Sequence, residues 1–172
     1  HRERTGRGQR VDVSLVGGAI WAQAPEYTSA FLSGNQPDRA NWGHGLISFI
    51  YGTLPTADGW IALVGVPPTE KVKFFTAIGR EDLLADERFL APLITPEIRK
   101  ELFGHLRQTF PSRTTAQWCD LLRAAGQRFA PVNDYAMAAA DQGFWDNGYF
   151  AKVQHHAHGE ISAVGNPIRM SD

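Results

Sequence analysis

Tyr51-Gly52-Thr53-Leu54-Pro55-Thr56-Ala57-Asp58-Gly59-Trp60-Ile61-Ala62-Leu63 carries the clearest structural signal in this sequence of 172 residues. Apolar segments run from Leu46 to Leu54 and from Trp60 to Val64, and the five residues between them end in Asp-Gly. Glycine accepts the positive φ that a tight reversal demands, so the stretch predicts an antiparallel hairpin. On its C-terminal side, Pro67-Pro68-Thr69 closes the second strand and opens a helix. Val72, Phe75 and Ile78 recur there at helical spacing, and Gly79 supplies the stop. Thr95-Pro96-Glu97 combines a cap, a first-turn proline and an acid at the positive end of the helix dipole. Ile98, Leu102 and Leu106 give that helix an apolar stripe, which Pro111 ends. Thr114-Thr115-Ala116-Gln117 matches a capping box, followed by Trp118, Leu121, Leu122 and Ala125 before Gly126.

The last third holds Ala130-Pro131-Val132-Asn133-Asp134, an Ala-rich helical stretch and a second predicted hairpin. Its strands run from Tyr149 to Gln154 and from Glu160 to Val164, with His158-Gly159 at the turn. On the N-terminal side, Ser33 to Gly45 reads as a long loop, and such loops in compact domains are functional or mobile. Residues 16–33 read as helix through Ile20, Trp21, Tyr27 and Phe31, with a kink expected from Gly17, Gly18 and Pro25. Val11, Val13 and Leu15 alternate with Asp12 and Ser14, which predicts a short strand. The opening His1 to Leu15 reads as a helix end, a glycine turn and a strand, a connection from the interior of something larger. The architecture these signals predict is α+β and helix-dominated, with a small antiparallel sheet.

Composition narrows the function classes. Seventeen basic and eighteen acidic side chains leave a formal charge of −1, which argues against bulk electrostatic capture of nucleic acid or anionic lipid. The single Cys119 excludes an internal disulfide framework and suits a reducing compartment, so a cytoplasmic location is expected. No apolar run reaches membrane-spanning length, and nothing resembles a secretory leader.

Each local candidate for chemistry has a plainer reading. Gly6-Arg7-Gly8, among four arginines in the first ten residues, can cradle a phosphate, but it fits no nucleotide-binding fingerprint and reads better as a basic turn. His155, His156 and His158 suggest a metal site. Adjacent strand residues point to opposite faces, so no metal is expected and the three are read as solvent-facing. Cys119 sits mid-helix without an electropositive setting and reads as a quiet structural thiol. Ser14, Ser33, Ser48 and Ser112 lack the context of a nucleophile elbow, and Asp12 reads as a hydrogen-bonded structural acid. The strongest candidate is Asn41-Trp42-Gly43-His44-Gly45. Two glycines flanking a histidine make a backbone that moves and approaches a ligand closely, and no side chain is expected to anchor it.

Six stretches in order resemble the class III CoA-transferase family, which also contains the α-methylacyl-CoA racemases. They are Arg2 to Leu15, Tyr51 to Leu63, Ala77-Ile78-Gly79-Arg80-Glu81-Asp82-Leu83, Asp86-Glu87-Arg88-Phe89, Ala130-Pro131-Val132-Asn133-Asp134 and Gly165-Asn166-Pro167-Ile168-Arg169. The resemblance implies that residues 1–45 are a strand-helix strap and loop derived from a Rossmann-like large domain. Residues 46–172 are then the small domain and a return segment. It also implies an enzyme that moves CoA between carboxylic acids, with acyl-CoA as substrate, no tightly bound cofactor and a homo-oligomeric assembly of interlocked subunits. In that family an Asp carboxylate attacks the thioester while a glycine-rich loop keeps water from the anhydride, and Asn41, Gly43, His44 and Gly45 fall where that loop lies. The nucleophilic Asp falls before the Arg-Thr-Gly-Arg-Gly-Gln turn, so no catalytic residue is assigned within the chain, and alone it is expected to be inactive. The racemase branch places a Glu soon after the Asp-Gly strand. Gly65-Val66-Pro67-Pro68 stands there instead, which favours transferase over racemase fragment. A non-catalytic binding or assembly module that keeps the small domain is the reading from another class.

Overall fold

A computed structural model describes residues 2–10, 12–35, 42–44, 46, 47 and 49–166. Its centre is the predicted hairpin. Strand β1 (Ile50–Pro55) pairs antiparallel with β2 (Trp60–Val66), in a register running from Pro55 opposite Trp60 to Ile50 opposite Val66. The Thr56 N–H closes the turn on the Gly59 carbonyl at 2.9 Å. A third strand, β3 (Phe129–Pro131), adds to the outer side of β2 and was not legible in the sequence. It is three residues long and carries a proline, which an edge strand tolerates because one side of its ladder needs no donor.

Helices pack one face of this sheet. A 3-10 turn (Pro68–Glu70) leads into α4 (Lys71–Ala77), and Gly79 at φ 73° lets the Arg80 N–H reach back to the Phe75 carbonyl. The chain passes another 3-10 turn (Glu81–Ala85) and the short α5 (Glu87–Leu90) before α6 (Pro96–Thr109). The expected cap is present, with Thr95 Oγ1 accepting the Ile98 N–H. After a 3-10 turn at Phe110–Ser112, α7 (Thr115–Ala124) begins with the predicted capping box. The core is the meeting of Ile50, Leu54, Ile61 and Leu63 from the hairpin with Phe74, Phe75, Leu102, Phe103, Leu106, Phe110, Trp118 and Leu122. Phe110 and Trp118 stack at 4.4 Å, and the indole N–H is satisfied by the Phe110 carbonyl at 2.7 Å. Val72, placed on the buried stripe by its spacing, is instead 55% exposed. The buried face of α4 runs one residue earlier, through Lys71, Phe74 and Phe75.

The C-terminal part forms a smaller cluster. Helices α8 (Tyr135–Ala140) and α9 (Gln142–Asp146) precede the second hairpin, β4 (Phe150–His155) with β5 (Gly159–Val164). Phe144 and Trp145 pack their rings on Phe150.

At the other end, α1 (Arg2–Thr5) stops at Gly6, whose N–H bonds the Arg2 carbonyl. The strand expected over residues 11–15 is not formed. Val11 lies outside the described residues, Asp12 to Ser14 have no sheet partner, and Leu15 already belongs to α2 (Leu15–Ala22), capped by Ser14 Oγ. Apolar alternation licenses a strand only where another strand can take its backbone groups, and none of the described strands lies beside it. The expected kink is a full break at Gln23, after which α3 (Ala24–Ser33) restarts on Pro25 and ends at Gly34 with φ 71°. Neither α2 nor α3 buries a residue. Val13, Leu15, Trp21, Phe31 and Leu32 are each more than four-fifths exposed.

Candidate functional site

Of the four candidate loop residues, Gly43 and His44 are described, while Asn41 and Gly45 lie outside the described residues. The segment Trp42 to His44 lies along β1 and against α6. The His44 N–H donates to the Tyr51 carbonyl at 3.1 Å, which makes the segment a short extra partner of the hairpin. Gly43 sits at φ 89°, and a Cβ there would stand 2.9 Å from the Phe103 ring. Gly52, facing it across the ladder, would place its own Cβ 3.0 Å from the same ring. Close approach is therefore what these glycines supply, and the surface they approach is a core phenylalanine.

Side chains anchor the segment on all sides, contrary to the expectation of an unanchored loop. Trp42 lies under two cations of α6, with Arg107 at 5.0 Å and Lys100 at 5.9 Å from its ring. The His44 ring meets Tyr51 edge-on at 5.8 Å. Its Nδ1 accepts the Leu46 N–H at 3.3 Å, so in the neutral imidazole the proton sits on Nε2, which faces Glu26 Oε1 of α3 at 3.4 Å. Both ring nitrogens are thus engaged, and His44 is placed as a clamp between α3 and the loop. Arg99 completes the arrangement by donating from a terminal nitrogen to the His44 carbonyl at 3.1 Å.

Glu26, Tyr51, Arg99 and Phe103 were not singled out by sequence reasoning. For Arg99 a signal existed. Arg99, Leu102, Phe103 and Leu106 are the buried residues of α6 and follow i, i+3, i+4, i+7, so the arginine is in phase with the core stripe.

The remaining candidates resolve simply. Asp12 makes an exposed ion pair with Arg10 at 2.9 Å. Burial pushes the Cys119 thiol up, so it stays protonated near neutrality. That thiol lines a cleft of about 330 Å³ with Asp58, Trp60, Pro131, Val132 and Met137. The rings of His155 and His156 stack at 4.5 Å, and those of His155 and His158 at 4.8 Å. Alternation does not separate the first two, because His156 lies in the turn beyond the end of β4. No group of three or more His, Cys, Asp or Glu residues is arranged to hold a metal ion among the described residues.

Fold and loop together define a helix-rich α+β unit in which a glycine–histidine segment is clamped between a three-stranded sheet and a long helix. The chain belongs to CoA-transferase family III, whose model matches residues 1–172. It is 26% identical over 172 residues to the succinyl-CoA:glutarate CoA-transferase of Mus musculus, covering 99% of this chain and 39% of that protein. It is 28% identical to the cinnamoyl-CoA:phenyllactate CoA-transferase of Clostridium sporogenes, covering 95% and 40% respectively. Among solved structures, a CAIB/BAIF family protein from Brucella suis superposes with a TM-score of 0.74 at 26% identity, over 99% of this chain and 44% of that one. The chain thus spans about two-fifths of the length of these relatives. No helix among the described residues is long and apolar enough to cross a membrane.

Proposed function

We propose that this chain supplies the strap, the lid loop and the small domain of a cytoplasmic, homo-oligomeric enzyme that moves CoA between carboxylic acids. Residues 1–45 act as the strap and loop, and residues 46–172 as the small domain. The observation that carries the reading is the match of the family model across all 172 residues. The named activities of the relatives, each a transfer of CoA between acids, support it. The reaction begins when a carboxylate attacks the acyl-CoA thioester, releasing CoA thiolate and leaving a mixed anhydride on the protein. CoA then displaces the acyl group as a free acid to give a protein thioester. The acceptor acid takes CoA from that thioester through a second anhydride, which regenerates the carboxylate. The attacking carboxylate comes from sequence outside these 172 residues.

The role of this chain in that scheme is the loop at Asn41, Gly43, His44 and Gly45. An anhydride reacts with water, so the loop serves by covering the reacting centre. CoA enters as substrate, with no tightly held cofactor. The protein encoded by the complete reading frame around His1 to Asp172 should exchange CoA between acyl-CoA donors and free acids, followed by mass spectrometry. The 172-residue chain alone should give no hydroxylamine-trappable acyl adduct. An adduct on one of its own carboxylates would overturn the placement of the chemistry. A complete protein that racemises 2-methylacyl-CoA and transfers nothing would overturn the transferase reading.

A further inference from the structure

Arg99 is an expensive residue for this fold to carry. Only 8% of it is exposed, its Nε is sealed from water without a hydrogen-bond partner, and no carboxylate pairs with it among the described residues. Burying a guanidinium nitrogen without a hydrogen-bond partner or a counter-charge is unfavourable. Among the described residues it receives in return one charge-assisted hydrogen bond, to the His44 carbonyl at 3.1 Å. Such a balance makes Arg99 a poor source of stability. Leucine or methionine at the same point of the stripe formed by Arg99, Leu102, Phe103 and Leu106 would pack the core without the desolvation.

The explanation lies in what the arginine grips. Its Cδ would lie 3.1 Å from a Cβ on Gly43, and its terminal nitrogen reaches the next carbonyl along. Phe103, one turn further along α6, fills the space under both Gly43 and Gly52. The two residues of α6 therefore bracket one peptide of the loop, Phe103 by shape and Arg99 by charge. The same carbonyl also accepts the Ile47 N–H at 3.2 Å, so the point that Arg99 holds is where the chain turns from the loop toward β1.

We infer that Arg99 is a positioning residue: it sets the height of the Gly43–His44 peptide over α6 and thereby the path of the chain from Trp42 to His44. The geometric part stands on the contacts alone, whereas its consequence for transfer rests on the lid role proposed above. The effect of Arg99 on the loop and its effect on global stability should have opposite signs, which a core-packing role does not produce.

The test uses hydrogen exchange and thermal melting on the 172-residue chain. In Arg99→Met, the His44 and Ile47 amides should exchange at least about tenfold faster, the loss expected for one hydrogen bond to a charged group. Exchange in Trp60–Val66 should be unchanged, and the melting temperature unchanged or higher. Arg99→Lys, which keeps a charged donor, should recover most of the protection. Gly43→Ala, whose Cβ meets Phe103, should loosen the same amides and provides a second probe if Arg99→Met misfolds. Unchanged exchange at His44 and Ile47 overturns the inference. So does faster exchange throughout the core with a lower melting temperature, which would make Arg99 an ordinary structural residue. In the protein from the complete reading frame, Arg99→Met should raise acyl-CoA hydrolysis relative to transfer. If loop exchange shifts as stated and that ratio does not, the clamp stands and the lid reading falls.

Discussion

Two cations in the core, Arg99 and Lys71, show where residue-level reading stops. Both open a buried stripe, Arg99-Leu102-Phe103-Leu106 in α6 and Lys71-Phe74-Phe75 in α4. The spacing rule, applied to apolar residues only, missed both openings, starting one position early at Ile98 and one position late at Val72. Charge hid the phase, because long side chains are expected to reach water and these two do not. Lys71 is fully buried, and its Nζ donates to the Ala91 carbonyl at 2.7 Å. Burial lowers its pKa below the ordinary 10.5. The unfolded chain therefore binds more protons than the folded one between the two values, so stability rises with pH across that interval. Lys71→Met should be neutral to stabilising at pH 7, by up to about 3 kcal/mol, because a buried charge is replaced by a side chain of similar length. The advantage of the variant should shrink as the pH is raised toward 10.5, read from urea unfolding of both proteins. A variant clearly less stable than the parent at pH 7 would show that the Ala91 contact outweighs the desolvation.

Among the elements, the first hairpin was legible almost to the residue, because its turn chemistry and its apolar runs agree. What the sequence did not display is why the turn is docked. Asp58 Oδ1 accepts the Thr115 N–H at 2.7 Å and the Thr115 hydroxyl at 2.9 Å, so the hairpin tip caps the start of α7 from outside. The Thr115 backbone bond is the main reason the Asp58 carboxyl is held below its ordinary value. A depressed folded pKa contributes stability at neutral pH that is lost as the pH falls through that value. Asp58→Asn should therefore lower the melting temperature at pH 7, and the gap between the proteins should close in acid below the Asp58 pKa. A gap that persists there would assign the loss to packing. Glycines in α6 and β1 give a contrasting pair. Gly104 has nothing within 4 Å of a Cβ, so Gly104→Ala should stabilise α6 by about 0.5–1 kcal/mol. Gly52→Ala should destabilise, since its Cβ would press on the Phe103 ring at 3.0 Å. Denaturant midpoints of both variants check the two signs.

For the whole molecule, the uneven distribution of burial has a consequence. The core belongs to residues 50–122, while α2 and α3 leave Leu15, Trp21, Phe31 and Leu32 in water. Burial of such side chains is worth about 1.5–3 kcal/mol each, so the 172-residue chain should self-associate at micromolar concentration. Residues 34–172 alone should sediment as a monomer, and a monomeric 172-residue chain with α2 and α3 protected from exchange would overturn the strap assignment. The sequence by itself determined the α+β class, the two hairpins, the caps of α6 and α7, an irregularity near Pro25 and the family resemblance. Each of these is written in neighbouring residues, because turn geometry, capping and helical period are short-range. Only the tertiary structure decided that β3 joins β2, that a lone apolar alternation at residues 12–15 is not a strand, and that His44 is a clamp. It also decided that Gly43 and Gly52 face one phenylalanine and that an arginine in the core holds a loop carbonyl. Those contacts join residues as many as 60 positions apart, such as Gly43 and Phe103. A pairing at that separation leaves no local pattern, because each partner by itself meets only the ordinary requirements of its own helix, strand or loop.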